Sequence, residues 1–377
     1  MKKFFLTSLM LTAIATAVLT SCSSDKKQAD VVTVNLLKAI EEAPVNRLEV
    51  YDVTYTLLDT TSLALLPRYT QIKGIKGDTI VILNYTALSK YRVSLFSLTD
   101  GRMCGNLDHE GNGPGEYRWI DGVFVDPSAN ELIIKTPDRK AYRYSFADSL
   151  LATYSLSPTR GRRLSTGSLS TTVNVHHETE QGDIIYQFDS RFNLVDSILL
   201  RGFNLVYQAG LFDQSGEMAM VSMVDTIYEI LPGKLEKRII MNREGKTITP
   251  KIEKNLSKIS DFNQRNAEEN KYVRVFGATI TDDFIIMNPT YRDRSYTTIF
   301  DRKNGELLYS EPMSDEEYGM PVEWNGVIFH TYAFFYHDGT FYCVIGEDEA
   351  VDADGNPSNG ELNSGILAFK LRSTSGR

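Results

Sequence analysis

Three cysteines in 377 residues cannot build a disulfide framework, so a packed core and not a set of covalent staples must hold this chain together. Histidine is scarce as well, with five in all, and their spacing does not favour a metal site. His176 and His177 are adjacent, and adjacent residues of a strand point to opposite faces, so the two cannot share one ion. His330 and His337 are an odd number of residues apart and would face apart on a continuous strand, while His109 stands alone in a loop. There is no G-x-S-x-G elbow, no H-E-x-x-H pair and no P-loop lysine, so no catalytic constellation and no cofactor site is evident. Positive charge is in the minority: 40 Lys and Arg stand against 49 Asp and Glu, a formal net charge of −9. An acidic surface repels phosphate backbones, which argues against a nucleic-acid partner. Past the N-terminus, no apolar run is long enough to span a bilayer.

The N-terminus carries a different message. Lys2 and Lys3 precede an apolar run from Phe4 to Leu19 that is shorter than the ~20 residues a spanning helix needs. The run closes on Leu19-Thr20-Ser21-Cys22, which resembles a bacterial lipobox. That resemblance implies a signal peptide over residues 1–21 and a multiply acylated Cys22. One acyl chain holds weakly and several hold firmly, because each buried methylene adds about 0.8 kcal/mol. The residue after Cys22 is Ser23 and not aspartate, which resembles outer-membrane sorting, with the side of the membrane left open. Cleavage would leave 356 residues with 38 basic against 49 acidic, a net charge of −11. Residues 22–45 then read as a tether, with a helical turn or two around Asn35–Glu42.

From there the chain reads as short strands. Asp78–Leu83, Glu131–Ile134, Met218–Val221 and Asp283–Met287 are β-rich runs entered through polar turns. A second kind of strand ends on an apolar anchor, at Phe96, Phe146, Phe188, Ile230, Phe300 and Phe369. These six anchors are 50, 42, 42, 70 and 69 residues apart, against roughly 40–50 residues for a four-stranded propeller blade. The two long gaps each hold an insertion. Residues 251–270, with Ile252, Leu256, Ile259 and Phe262 at helical spacing, read as one amphipathic helix, and residues 346–364 as a long hairpin loop. Leu48–Leu58 alternates as a strand does and is expected beside Gly365–Leu371 in the final blade. The fold class that follows is all-β: one domain over residues 46–377, a six-bladed β-propeller of four-stranded antiparallel blades with the ring closed by an N-terminal strand. A pair of β-sandwiches is the rival architecture.

Between the first two repeats lies Gly111-Asn112-Gly113-Pro114-Gly115-Glu116-Tyr117. A dinucleotide fingerprint opens a helix, whereas Pro114 and the strand-like Trp119–Val125 follow here, so the motif reads as a tight turn between blades. Together with Leu58-Asp59-Thr60-Thr61, Asp100-Gly101 and Asp126, it resembles the six-bladed propeller lipoproteins of Gram-negative envelopes, relatives of the NHL and TolB-like propellers. Lys135-Thr136-Pro137-Asp138 departs from that pattern. The resemblance implies a lipid-anchored scaffold that binds an envelope protein or glycan, touches the membrane through its anchor alone and has no shared catalytic residues. The alternative is an envelope hydrolase or lactonase with a metal in the propeller channel. Asp348, Asp352 and Asp354 could offer calcium an acidic loop, but Pro357 and Asn363 stand where an EF-hand needs glycine and glutamate, so a solvated hairpin tip is the expectation. Cys104 and Cys343 are expected to be small buried hydrophobes rather than a bridge.

Overall fold

Apolar residues that stand back to back, as in Ile80-Val81-Ile82, Ile133-Ile134 and Ile285-Ile286, dictate the architecture. Neighbours in a strand face opposite ways, so such runs need sheets covered on both sides. The computed structural model supplies them. It describes residues 31–59, 69–85, 91–126, 128–156, 173–179, 182–200, 218–221, 225–313, 319–331, 334–345, 350–352 and 364–374. The chain divides into Met1–Val31 and Val32–Arg377, and every element below belongs to the second unit.

β1 (Val32–Asn35), α1 (Leu36–Glu41), β2 (Val45–Asn46) and β3 (Leu48–Leu57) come first in the chain but join sheets formed much later. The first blade is the meander β4 (Tyr69–Lys76), β5 (Thr79–Tyr85), β6 (Tyr91–Ser97) and β7 (Met103–Leu107). The second is β8 (Gly122–Val125), β9 (Glu131–Lys135), β10 (Lys140–Ser145) and β11 (Leu150–Ser155). A three-stranded sheet follows, made of β12 (Val173–Thr179), β13 (Gly182–Phe188) and β14 (Leu194–Leu200). The third blade is β15 (Met218–Val221), β16 (Thr226–Leu231) and β17 (Lys234–Asn242), with β1 laid parallel along β17. After α2 (Pro250–Leu256) and α3 (Phe262–Glu269) comes the fourth blade: β18 (Arg274–Ile280), β19 (Phe284–Tyr291), β20 (Arg294–Asp301) and β21 (Leu307–Pro312), to which β2 adds a fifth strand. β22 (Met320–Trp324) and β23 (Val327–Thr331) open a second three-stranded sheet, and β24 (Phe335–His337) and β25 (Thr340–Ile345) begin the fifth blade. β26 (Ala350–Asp352) returns to β23, and β27 (Gly365–Ser373) pairs with β25 on one side and with β3 on the other.

Adjacent residues of one strand serve different apolar layers, and this makes the assembly a β-propeller. Val81 joins Val123 and Ile134 between the first two blades, whereas Ile80 and Ile82 meet Ile366 of the fifth. Ile133 packs with Val173 and Phe188, and Ile185 with Ala219 and Ile230. Ile285 lies with Met218 and Ile239 between the third and fourth blades, while Ile286 shares a layer with Val322, Phe329 and Leu367.

Several expectations are corrected. Among the described residues five sheets have four or more strands, where six blades were expected, and two sheets have three. The six anchors are not equivalent: Phe96, Phe300 and Phe369 lie on the third strand of a blade or, like Phe146, just past it, whereas Phe188 and Ile230 lie on the middle strand of β12–β14 and the second strand of the third blade. A fixed spacing therefore counted two different positions as one. Nor are the blades purely antiparallel, because β1 is parallel to β17. The pairing expected for Leu48–Leu58 is present, running from Gly365↔Leu57 to Ser373↔Leu48. Residues 32–45, expected within the tether apart from a helical turn, hold β1, α1 and the start of β2, and α1 buries Leu36, Leu37, Ala39 and Ile40 in the layer between the third and fourth blades. Residues 251–270 form two helices where one was expected. The Thr249 side chain caps α2 by accepting from Ile252 N, and the Asp261 side chain caps α3 by accepting from Gln264 N at 2.7 Å. The second cap restarts the helix and turns Phe262 out to solvent. Of the loop expected at 346–364, only β26 and Ser364 lie within the described residues.

Candidate binding surface

The glycine motif is the connection from β7 to β8, and its backbone is closed on itself. Tyr117 N donates to His109 O at 2.8 Å, Gly111 N to Tyr117 O at 3.2 Å, and Glu116 N to Gly113 O at 3.0 Å. The Glu116 carboxylate then turns back and accepts from Gly113 N at 2.7 Å. A Cβ on Gly111 would come within 2.0 Å of Glu116 Oε2, so glycine is what makes room for the carboxylate. Gly115 has φ +82° and its carbonyl accepts from the Tyr144 hydroxyl. The anion on these backbone N–H groups is thus the chain's own, and it would repel a phosphate. No helix follows, only β8, which is the turn between blades that the sequence pattern predicts.

Around this closed loop, side chains alternate between anchoring and display. Tyr117 and Ile120 are buried in the layer between the first two blades, while Arg118 and Trp119 between them are exposed. Trp119 is 49% exposed and lies edge-on to Tyr91, ring centroids 6.0 Å apart. His109 is not alone, contrary to its reading from sequence. Its Nε2 lies 2.5 Å from Asp148 Oδ1 and its ring stacks on Tyr144 at 4.9 Å. Burial pushes the Tyr117 and Tyr144 hydroxyls above the usual phenol range, so both stay protonated, and Tyr144 keeps its bond to Gly115. An indole with a guanidinium, an imidazole and carboxylates on a fixed frame suits stacking on a sugar ring or seating in a protein pocket.

The other residues read from sequence do not converge here. Cys22 lies outside the described residues, as do Asp348 and Asp354; Asp352 ends β26 opposite Val327. His176 and His177 are consecutive on β12, opposite Ile185 and Ile184. His330 and His337 lie on β23 and β24, in different sheets, so no continuous strand joins them. Cys104 and Cys343 do not bridge each other; Cys343 is buried as expected and Cys104 is exposed. Among the described residues no three His, Cys, Asp or Glu side chains are grouped to hold a metal.

Two lysines escaped sequence reasoning. Lys135, in the stretch that departs from the family pattern, is fully buried and donates to Asp121 at 2.7 Å. Lys73 lies at the irregularity in β4 between Ile72 and Gly74 and donates to Gln71 Oε1 at 2.7 Å. Burial lowers its ammonium to about 8. The unfolded chain holds that proton up to ~10.4, so this group makes stability rise with pH between about 8 and ~10.4. Lys73→Met is expected to flatten that rise and to add on the order of 1 kcal/mol at pH 7, allowing for solvent screening. Urea unfolding at pH 7 and pH 10 measures both, and the same pH dependence in parent and variant would refute the assignment.

The model of one family, described as a domain of unknown function, DUF4934, matches residues 31–366. The chain belongs to this family. A protein of Bacteroides fragilis NCTC 9343, whose name calls it exported, has a similar crystal structure: TM-score 0.65 at 16% identity, covering 91% of this chain and 99% of that one. A member of the DUF4221 family from Bacteroides vulgatus ATCC 8482 matches with TM-score 0.53 at 10% identity, over 87% of this chain and 99% of that one. BamB from Moraxella catarrhalis aligns with TM-score 0.41 at 12% identity, over 86% and 99%. No curated protein matches the chain. At these identities the first two structural likenesses speak for the fold alone, and the third carries no argument.

Proposed function

We propose that this DUF4934 chain is an envelope-associated binding scaffold, held to the membrane by lipid on Cys22 and using the Trp119 face to engage an envelope glycan or protein. The observation that carries the binding reading is the pairing of an exposed indole with a loop whose backbone is already fixed by Glu116, Tyr144 and the His109 carbonyl. Little ordering entropy remains to be lost on binding there, so contacts made by Trp119 convert to affinity. The lipobox-like Leu19-Thr20-Ser21-Cys22 supports the anchor, and a structural relative named as exported is consistent with an envelope location. In this reading β3, paired with β27, is the strand that closes the ring.

Trp119→Ala is expected to weaken binding by about 2 kcal/mol, some thirty-fold, while leaving the fold intact. Screening the full chain on a glycan array and by pull-down from solubilised envelope, then repeating with Trp119→Ala, tests this. A ligand bound equally well by both chains would remove the surface from consideration, and the absence of any ligand would count against the scaffold itself.

A further inference from the structure

The helical insertion between the third and fourth blades is a firmly held stalk with an unusual tip. At its base Val273 N donates to Lys246 O at 2.9 Å, and Arg243, almost wholly buried, donates to Val273 O at 3.2 Å while its Nε lies 3.2 Å from Asp225. Leu256 is buried and holds α2 down. At the far end the chain runs Lys258-Ile259-Ser260-Asp261-Phe262, and Phe262 is 79% exposed, the most exposed large hydrophobic side chain among the described residues. Lys251 and Lys254 lie one turn apart on α2, with Lys258 about a turn further on, and all three are exposed. No carboxylate among the described residues pairs with any of them, although the chain as a whole is acidic.

The short stretch of chain between Cys22 and β1 argues for the occupant. β1 pairs with β17 from Val32↔Ile239 to Asn35↔Asn242, and the chain that leaves β17 at Asn242 leads directly into the insertion. Cys22 precedes Val32 by ten residues, which span at most ~35 Å. An anchor at Cys22 would therefore leave β1, and the blade it joins, within that reach of the bilayer. An exposed aromatic side chain that follows a helix and linker carrying three exposed lysines fits a headgroup region, the ring entering the acyl boundary and the ammoniums remaining at the phosphates.

We propose that the α2–α3 tip, through Phe262, Lys251, Lys254 and Lys258, docks on an anionic phospholipid surface and fixes the orientation of the propeller on its membrane. The inference rests on the lipid-anchor reading above. The test uses the full chain, acylated and as Cys22→Ser, on phosphatidylethanolamine/phosphatidylglycerol vesicles (3:1) and on phosphatidylcholine vesicles. The Phe262→Trp indole is expected to shift to the blue and to be quenched by brominated acyl chains on the anionic vesicles, measured as the difference from the parent chain. The Cys22→Ser chain is expected to bind the anionic vesicles at least several-fold better than the neutral ones. Replacing Lys251, Lys254 and Lys258 together by Glu should reduce that binding about ten-fold without changing the circular dichroism or Tm. An acylated chain that stays on the vesicles while the introduced indole keeps its aqueous emission overturns the docking, as does an indole buried only when other envelope proteins are added. Failure of Cys22 to incorporate acyl chains in cells would overturn the anchor alone, since the indole and lysine readouts do not depend on it.

Discussion

Replacing Asp121 by alanine is expected to destabilise the propeller by about 3–5 kcal/mol at pH 7, because it leaves the ammonium of a fully buried lysine without its counter-charge. Lys135 enters from the end of β9, and the two chain segments are already linked there by Asp121 N donating to Lys135 O at 2.9 Å. The Asp121 carboxylate, which retains some exposure, closes the pair at 2.7 Å. Burial lowers the Lys135 ammonium from its ordinary value and Asp121 partly restores it, so without Asp121 the proton is held more weakly still. The sign of the pH effect follows. Between the folded and unfolded values the unfolded chain carries more protons, so the variant should regain stability as pH rises from 7 towards ~10. Replacing both residues, as Asp121→Leu with Lys135→Met, should restore most of the loss, since a buried pair exchanged for apolar groups is close to neutral. Urea unfolding of the single and double variants at pH 7 and 9.5 measures all of this. A single variant that loses less than about 1 kcal/mol would mean that the lysine is solvated.

A comparable loss is expected from Gly101→Ala, for a steric reason. Gly101 closes the turn between β6 and β7 at φ +70°, and a Cβ there would lie 1.8 Å from the carbonyl oxygen of Leu57 at the end of β3. Asp59 N donates to Gly101 O at 3.0 Å, so the turn and the N-terminal segment cannot separate without losing a hydrogen bond. Left-handed backbone costs a non-glycine residue roughly 1–2 kcal/mol and overpacking another 1–3, which together predict a loss of about 2–5 kcal/mol. Gly77→Ala is the control: it has a similar φ of +57° and nothing within 4 Å, so about 1 kcal/mol is expected. Equal losses at Gly77 and Gly101 in urea or thermal unfolding would show that backbone conformation alone is responsible. Gly305, whose Cβ would lie 2.2 Å from the Thr33 carbonyl oxygen, should behave like Gly101.

These two glycines also show how far the sequence could be read. Asp100-Gly101 and Asn304-Gly305 were recognisable as turns because such residue pairs close hairpins. That the N-terminal chain passes over both turns depends on partners more than forty and more than two hundred and seventy residues away in sequence, which no local pattern contains. The glycine motif was legible as a turn because Pro114 and a strand follow it. The return of Glu116 into it required the folded backbone. Trp119 and Tyr91 are 28 residues apart and carry no common signal; only the meeting of the first two blades brings them together. Lys135 stood out in the sequence only within a stretch that departs from the family pattern; a lysine at a strand end is ordinarily solvated, and its burial depends on Asp121 from another segment.

By itself the sequence determined the β-rich character of the chain, the places where strands start and turn, the pairing partner of Leu48–Leu57, the acidic balance and the lipobox-like N-terminus. These are local properties, set by two-residue periodicity, turn chemistry and composition. The tertiary structure alone decided the number of full blades, the use of β1, α1 and β2 as outer pieces of distant blades, the break between α2 and α3 as a stalk tipped by Phe262, and the surface around Trp119. The physical reason is that a β-ladder leaves its outer edge open to any strand of suitable pattern. Which segment fills that edge is settled by apolar layers shared between sheets, and those layers bring together residues that the chain holds far apart.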